Sequence, residues 1–166
     1  MQIQRHITKE ITEKLVKGDK AIILYGPRQT GKTTLCNTII KELGLKTLSI
    51  NADEQRYIDV LASRDSRKLM QLVSGYELLF LDEAQRVPNI GINLKILIDQ
   101  VKELKILATG SSSFELANKI AEPLTGRTWT YHLYPIAELE LAKHANHYEL
   151  QSQLEDRLIW GLYPEI

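Results

Sequence analysis

From Gly26 to Thr34 the chain reads Gly-Pro-Arg-Gln-Thr-Gly-Lys-Thr-Thr, and the first eight of these residues satisfy G-x-x-x-x-G-K-[ST]. The chemistry open to such a stretch is the gripping of a polyphosphate. Phosphate oxygens need several donors at short range, and the consecutive backbone N–H groups of a tight loop supply them without freezing side chains. Gly26 and Gly31 let the backbone turn and approach closely, with Pro27, Arg28, Gln29 and Thr30 between them. Lys32 is expected to reach the β- and γ-phosphates, the Thr33 hydroxyl to coordinate Mg²⁺, and Thr34 to complete the nucleotide-contacting run. A helix starting near Lys32 would add the positive end of its dipole.

Two further groups of residues suit the same chemistry. Leu78-Leu79-Phe80-Leu81-Asp82-Glu83 puts two carboxylates at the end of an apolar run. Asp82 is expected to hold the metal with Thr33. Glu83, one residue on and pointing elsewhere, is expected to orient an attacking water; phosphoryl transfer needs little beyond an in-line nucleophile and charge neutralisation. Ile106-Leu107-Ala108-Thr109-Gly110-Ser111-Ser112-Ser113 ends another apolar run in small hydroxyl residues, of which Thr109 or Ser111 would sense the γ-phosphate. Arg127 is a candidate for neutralising transition-state charge, in its own chain or in a neighbour's. Arg28 is expected to contact phosphate or to point away, without a catalytic part.

These residues must be positioned by strands and helices in alternation. Ile3, Ile7, Ile11 and Leu15 recur four apart, as in an amphipathic helix closed by Gly18. Ala21 to Tyr25 reads as a strand buried on both faces, and Leu35, Ile39, Ile40 and Leu43 as one face of a helix stopped by Gly44. Thr47–Ile50 (strand), 58–73 (helix), Leu78–Leu81 (strand), a helix through Leu94, Leu97, Ile98 and Val101, and Ile106–Ala108 (strand) continue the series. A weaker strand, Thr128–Leu133, precedes helical stretches near 136–145 and 148–159. Strand then helix, repeated, means a parallel sheet with helices on its faces.

Composition excludes several classes. With 21 Lys+Arg against 21 Asp+Glu the net charge is zero, which argues against a nucleic-acid coat or an acidic tail. At 43% hydrophobic and 25% charged the 166 residues are those of one ordinary globular domain. Cys36 is the sole cysteine, so no internal disulfide forms. No apolar stretch approaches the roughly 20 residues that span a bilayer, and no leader is apparent, so a cytoplasmic location is expected. His144 and His147 lack a third ligand and read as solvated residues rather than a metal site. Trp129 and Trp160 read as core or interface anchors, and nucleic-acid binding is not expected. The apolar end, Leu158 to Ile166, is expected either to mark a chain cut short or to dock onto the sheet.

In this order, Gly26 to Thr34, Asp82-Glu83-Ala84-Gln85, Thr109-Gly110-Ser111-Ser112, Leu124-Thr125-Gly126-Arg127 and Gly161-Leu162-Tyr163-Pro164-Glu165, the chain resembles the AAA+ ATPases. It is similar to a group of prokaryotic AAA-type ATPases that carry a further C-terminal domain of nuclease-like character. The resemblance implies a P-loop NTPase core, a three-layer α/β/α sandwich with a mostly parallel sheet. In it, the first two segments are the Walker A and Walker B motifs, the Thr109 strand lies between the phosphate-loop and acidic strands, and Arg127 holds a finger-like position. It further implies ATP and Mg²⁺ as ligands, self-association through Arg127, and an N-terminal place for residues 1–166 in a longer protein whose C-terminal domain the ATPase drives or gates. The pattern departs from AAA+ after residue 133, where no helical lid is recognisable. Two rivals share the phosphate loop: a small-molecule kinase, which would need an arginine-rich lid, and a nucleotide-loaded switch without turnover.

Overall fold

A computed structural model describes residues 3–111 and 123–164; Ser112, Ser113, Glu165 and Ile166 of the segments above lie outside them. Helix α1 (Thr8–Lys17) leads into β1 (Ala21–Gly26), the phosphate loop, and α2 (Lys32–Leu43). Then come β2 (Thr47–Asn51), α3 (Gln55–Leu61), α4 (Ser66–Val73), β3 (Leu78–Asp82), a single 3₁₀ turn (Ala84–Arg86) and α5 (Ile90–Gln100). Strands β4 (Lys105–Ser111) and β5 (Thr128–His132) and three short helices, α6 (Glu138–Leu141), α7 (His147–Ser152) and α8 (Leu154–Trp160), complete the order among the described residues.

The five strands pair in parallel in the order β2-β3-β4-β1-β5. Because side chains alternate across a strand, each face of the sheet has its own core. Ile22, Leu24, Leu78, Phe80 and Leu107 pack with Ile11 and Leu15 of α1 and with Leu35, Cys36 and Ile39 of α2. Ile23, Tyr25, Ile50, Leu79, Leu81 and Ile106 pack on the other face with Leu61, Leu69, Val73, Leu94 and Leu97 of α3, α4 and α5. This is the three-layer α/β/α sandwich that the resemblance implies, with β4 between β1 and β3. Strand β1 adjoins a sequence-distant strand on each side, so the order reverses beside it, and a crevice opens at the carboxyl ends of the strands there.

The sequence expectation is corrected in several places, among them the helical stretch near 148–159, which is two helices, and that near 136–145, which is helical only over Glu138–Leu141. The single helix over 58–73 is two: Arg64 adopts the left-handed region (φ 53°), its N–H donates to Asn93 Oδ1 at 2.8 Å, and Asp65 Oδ1 then accepts from Arg67 N and Lys68 N to start α4 afresh. Helix α1 begins at Thr8, so Ile3 lies outside it. Of the apolar C-terminal run, Leu158, Ile159 and Trp160 are 77%, 71% and 65% exposed and do not pack on the sheet, whereas Leu162 is half-buried and its carbonyl accepts from Ile136 N–H at 2.8 Å. Trp129 is no core residue either, being 37% exposed on β5 with the Lys14 and Lys20 ammonium groups over its ring.

Candidate functional site

The loop after β1 is shaped by two local constraints. Gly31 is left-handed at φ 87° and caps α2, a conformation that glycine adopts without cost. Gly26 is there for space: a Cβ on it would lie 2.3 Å from the Leu133 carbonyl oxygen, because Leu133 N–H donates to Tyr25 O at 2.7 Å and draws the chain after β5 against the loop. Gln29 is also left-handed (φ 63°), and buried Thr30 donates its hydroxyl to Pro27 O at 2.9 Å. The loop is thus braced from within.

Lys32, the first residue of α2, is buried, and its ammonium donates to Gly26 O at 2.9 Å and Pro27 O at 2.8 Å. Burial pulls its pKa below the ordinary lysine value, against the opposing pull of Glu83 and Asp82. The next residue, Thr33, is exposed and donates its hydroxyl to Asp82 Oδ2 at 2.8 Å. So the phosphate loop and the acidic strand meet. Asp82 Oδ1 accepts from the Thr109 hydroxyl and, at 3.2 Å, from Glu83 N–H. Thr109 is fully buried in β4, and its hydroxyl braces Asp82 rather than facing the open crevice. Ser111 ends β4 in register with Gly26, at the same sheet edge.

Glu83 is left-handed (φ 55°), which turns it from the line of β3, and its carboxylate accepts from Gln85 Nε2. A polar cavity of about 300 Å³ is lined by Arg28, Gln29, Gly31, Lys32, Thr33, Thr34 and Glu83, together with Asp53 and Arg86. The last two pair at 3.2 Å across its rim. A second cavity, about 280 Å³ and lined by more apolar than polar surface, shares Gly31 and Thr34 and is otherwise formed by residues including Ile3, Thr8, Leu35, Ile136 and Pro164. Asp53 and Arg86 did not stand out in the sequence, and Gln85 and Ile3 did so without a part in the site; their place at the sheet's carboxyl edge marks them.

Arg127 is elsewhere. It precedes β5, whose Thr128 is in register with Ala21 at the start of β1, whereas the phosphate loop follows the end of β1. Five residues at about 3.3 Å each put roughly 17 Å between the two. At that opposite edge the guanidinium forks onto Asp99, at 2.8 and 3.2 Å, and the Arg127 hydrogen bond holds the Asp99 carboxyl below its usual pKa. In this structure Arg127 therefore does not reach its own chain's phosphate loop.

A family model described as an AAA domain matches residues 18–142, from the end of α1 through β5 to α6. The chain belongs to the AAA domain family. This AAA domain is similar to the replication factor C large subunits of Methanosphaera stadtmanae, 34% identical over 73 residues (41% of this chain, 13% of that protein), and of Thermoplasma acidophilum, 30% identical over 109 residues (61% and 23%). It thus spans less than a quarter of the length of these relatives. In fold it resembles the Walker-type ATPase PABY2304 of Pyrococcus abyssi, with a TM-score of 0.66 at 17% identity over 93% of this chain and 63% of that one. It also resembles the FIGL-1 AAA domain solved in complex with ADP, with a TM-score of 0.62 at 13% identity over 92% and 64%. The AAA domain has a P-loop nucleotide-binding fold. Among its described residues, no helix is long and apolar enough to cross a membrane, and no three His, Cys, Asp or Glu side chains group as a metal cage, His144 and His147 included.

Proposed function

We propose that this AAA domain binds ATP with Mg²⁺ and hydrolyses it. The observation that carries the reading is the convergence of Lys32, Thr33 and Glu83 on one polar cavity, with Asp82 joined to it through the Thr33 hydroxyl. Lys32 exchanges two carbonyl oxygens for phosphate oxygens, and their negative charge offsets the cost of burying its ammonium. Thr33 and Asp82 offer two hard oxygens 2.8 Å apart, a set that fits Mg²⁺, which takes one or two protein oxygens beside phosphate and water and supplies charge neutralisation. Thr109 fixes the orientation of Asp82 from behind. Glu83 holds and orients the attacking water, with Gln85 steadying its carboxylate. Gly26 to Thr34 supply the loop contacts, Ser111 lies near enough to the loop to meet the γ-phosphate, and the more apolar cavity beyond Gly31 takes the base. Arg127 serves a neighbouring chain's site, and turnover drives or gates a further domain of a longer, cytoplasmic protein.

Two measurements test the reading. Mg²⁺-ATP should raise the melting temperature of the wild type and leave Lys32→Ala unmoved. Glu83→Gln should keep nucleotide but lose about 10²-fold or more in phosphate release, the usual range for a positioned acid–base group. Turnover that survives this substitution removes Glu83 from the mechanism. Binding without any phosphate release by the wild type would replace hydrolysis with a nucleotide-loaded switch, and transfer to an added acceptor with a kinase.

A further inference from the structure

Arg5 lies ahead of α1, on the strip that walls the more apolar cavity, and four of its contacts are spent on other segments. Its Nε donates to Glu140 Oε2 at 2.9 Å and its Nη1 to the Thr30 carbonyl at 2.8 Å. Nη2 donates to Tyr134 O at 2.5 Å and Pro135 O at 3.3 Å. Glu140 in turn accepts from His6 N–H at 2.7 Å and Ala137 N–H at 3.0 Å. The pair is largely buried, with side chains 10% and 5% exposed.

A buried ion pair is a poor source of stability, since the loss of hydration offsets most of its attraction. What it can supply is orientation. The carbonyl of Thr30 and the N–H of Gly31 belong to one planar trans peptide and point in opposite directions. A guanidinium that holds the carbonyl therefore aims the Gly31 N–H away from itself. Gly31 lines the polar cavity as well as the apolar one, so the peptide whose carbonyl Arg5 holds borders the polar cavity and is set by a side chain outside the loop. Glu140 neutralises the guanidinium, which leaves Arg5 as a fixed prop and not a rival cation to Lys32.

We propose that Arg5 is a positioning residue for phosphate binding: through the Thr30 carbonyl it presets the Thr30–Gly31 peptide of the phosphate loop, with Glu140 holding it in place. The inference rests on the nucleotide reading above. A lysine keeps the charge opposite Glu140 but has no planar fork to span Thr30 and Tyr134 at once. The test uses inorganic tripolyphosphate, which reads the loop without the base, beside Mg²⁺-ATP. Both are titrated calorimetrically into the wild type, Arg5→Lys and Arg5→Gln, at a temperature where each is folded by circular dichroism.

Expected is a loss of roughly tenfold in affinity for both ligands in Arg5→Lys, the order of one hydrogen bond to a charged group, with KM for ATP raised in step and kcat changed less than twofold. Folded Arg5→Lys that binds tripolyphosphate as the wild type does overturns the proposal, as does a loss confined to the unfolded fraction. Should Arg5→Gln fail to fold, Arg5→Lys alone decides. A wild type that binds neither ligand sinks the nucleotide reading itself, and Lys32→Ala, which should abolish binding of both, tells that failure apart from this one.

Discussion

Asp82 is the residue on which the site turns, because its two oxygens face different layers. Oδ2 meets the Thr33 hydroxyl in the crevice, while Oδ1 is occupied by the buried Thr109 hydroxyl and the Glu83 amide. A carboxylate saturated on one side has one remaining direction in which to act, and that is how a pair of protein oxygens is held at a spacing suited to a small hard cation. Thr109→Val keeps the shape of the side chain and removes the donor. We expect the apparent affinity for Mg²⁺ in the ATPase assay to fall about 10-fold or more, the usual effect of losing a group that orients a metal ligand. Binding of metal-free ATP, measured in EDTA, should change little. Equal losses with and without metal would show that Thr109 acts on the nucleotide directly, as its hydroxyl-rich sequence context suggests.

At the scale of elements, the site exists because a strand, a loop and a helix are forced into one relation by their neighbours. Gly26 is the tightest point: Leu133 follows β5 and puts its carbonyl where a Cβ would be. Gly26→Ala should therefore cost about 1–3 kcal/mol by overpacking, seen as a lower denaturation midpoint, and should weaken nucleotide binding as the loop shifts. An unchanged midpoint would mean that the chain after β5 yields freely. The strands and α2 were legible in the sequence because burial on both faces leaves unbroken apolar runs, as in Ala21–Tyr25 and Leu78–Leu81, and because the glycine–lysine signature fixes the turn between them. The split of α3 from α4 was not. Apolar spacing runs straight through Ala62–Asp65, and the break is set by Asn93, from another helix, taking the Arg64 amide. For the same reason Arg5 gave no signal: an arginine before an amphipathic helix looks like a solvated charge until Glu140, 135 residues away, and the Thr30 carbonyl arrive beside it.

For the molecule as a whole, the sheet separates the candidate site from Arg127. The carboxyl edge carries the loop, Asp82 and Glu83. The amino edge carries Arg127, paired with exposed Asp99 at the rim of an open groove that also includes Lys20, Lys102 and Thr125. Since strands do not bend back over a distance of roughly 17 Å, an arginine at that edge can reach a phosphate only in another copy of the chain. An assembly that stacks one copy's amino edge on the next copy's carboxyl edge would complete each site with a neighbour's guanidinium, at the expense of its exposed pair with Asp99, which is screened by water and salt and holds it weakly. Mixing tests this directly. Glu83→Gln chains lack the acid proposed to orient water but keep the arginine, and Arg127→Ala chains have the reverse defect. Each alone should release little phosphate, while an equimolar mixture should recover a measurable share of wild-type turnover that rises with protein concentration. If the mixture does no better than the sum of its parts while both variants still bind Mg²⁺-ATP, Arg127 has no part in the reaction and its fork onto Asp99 is a surface ion pair.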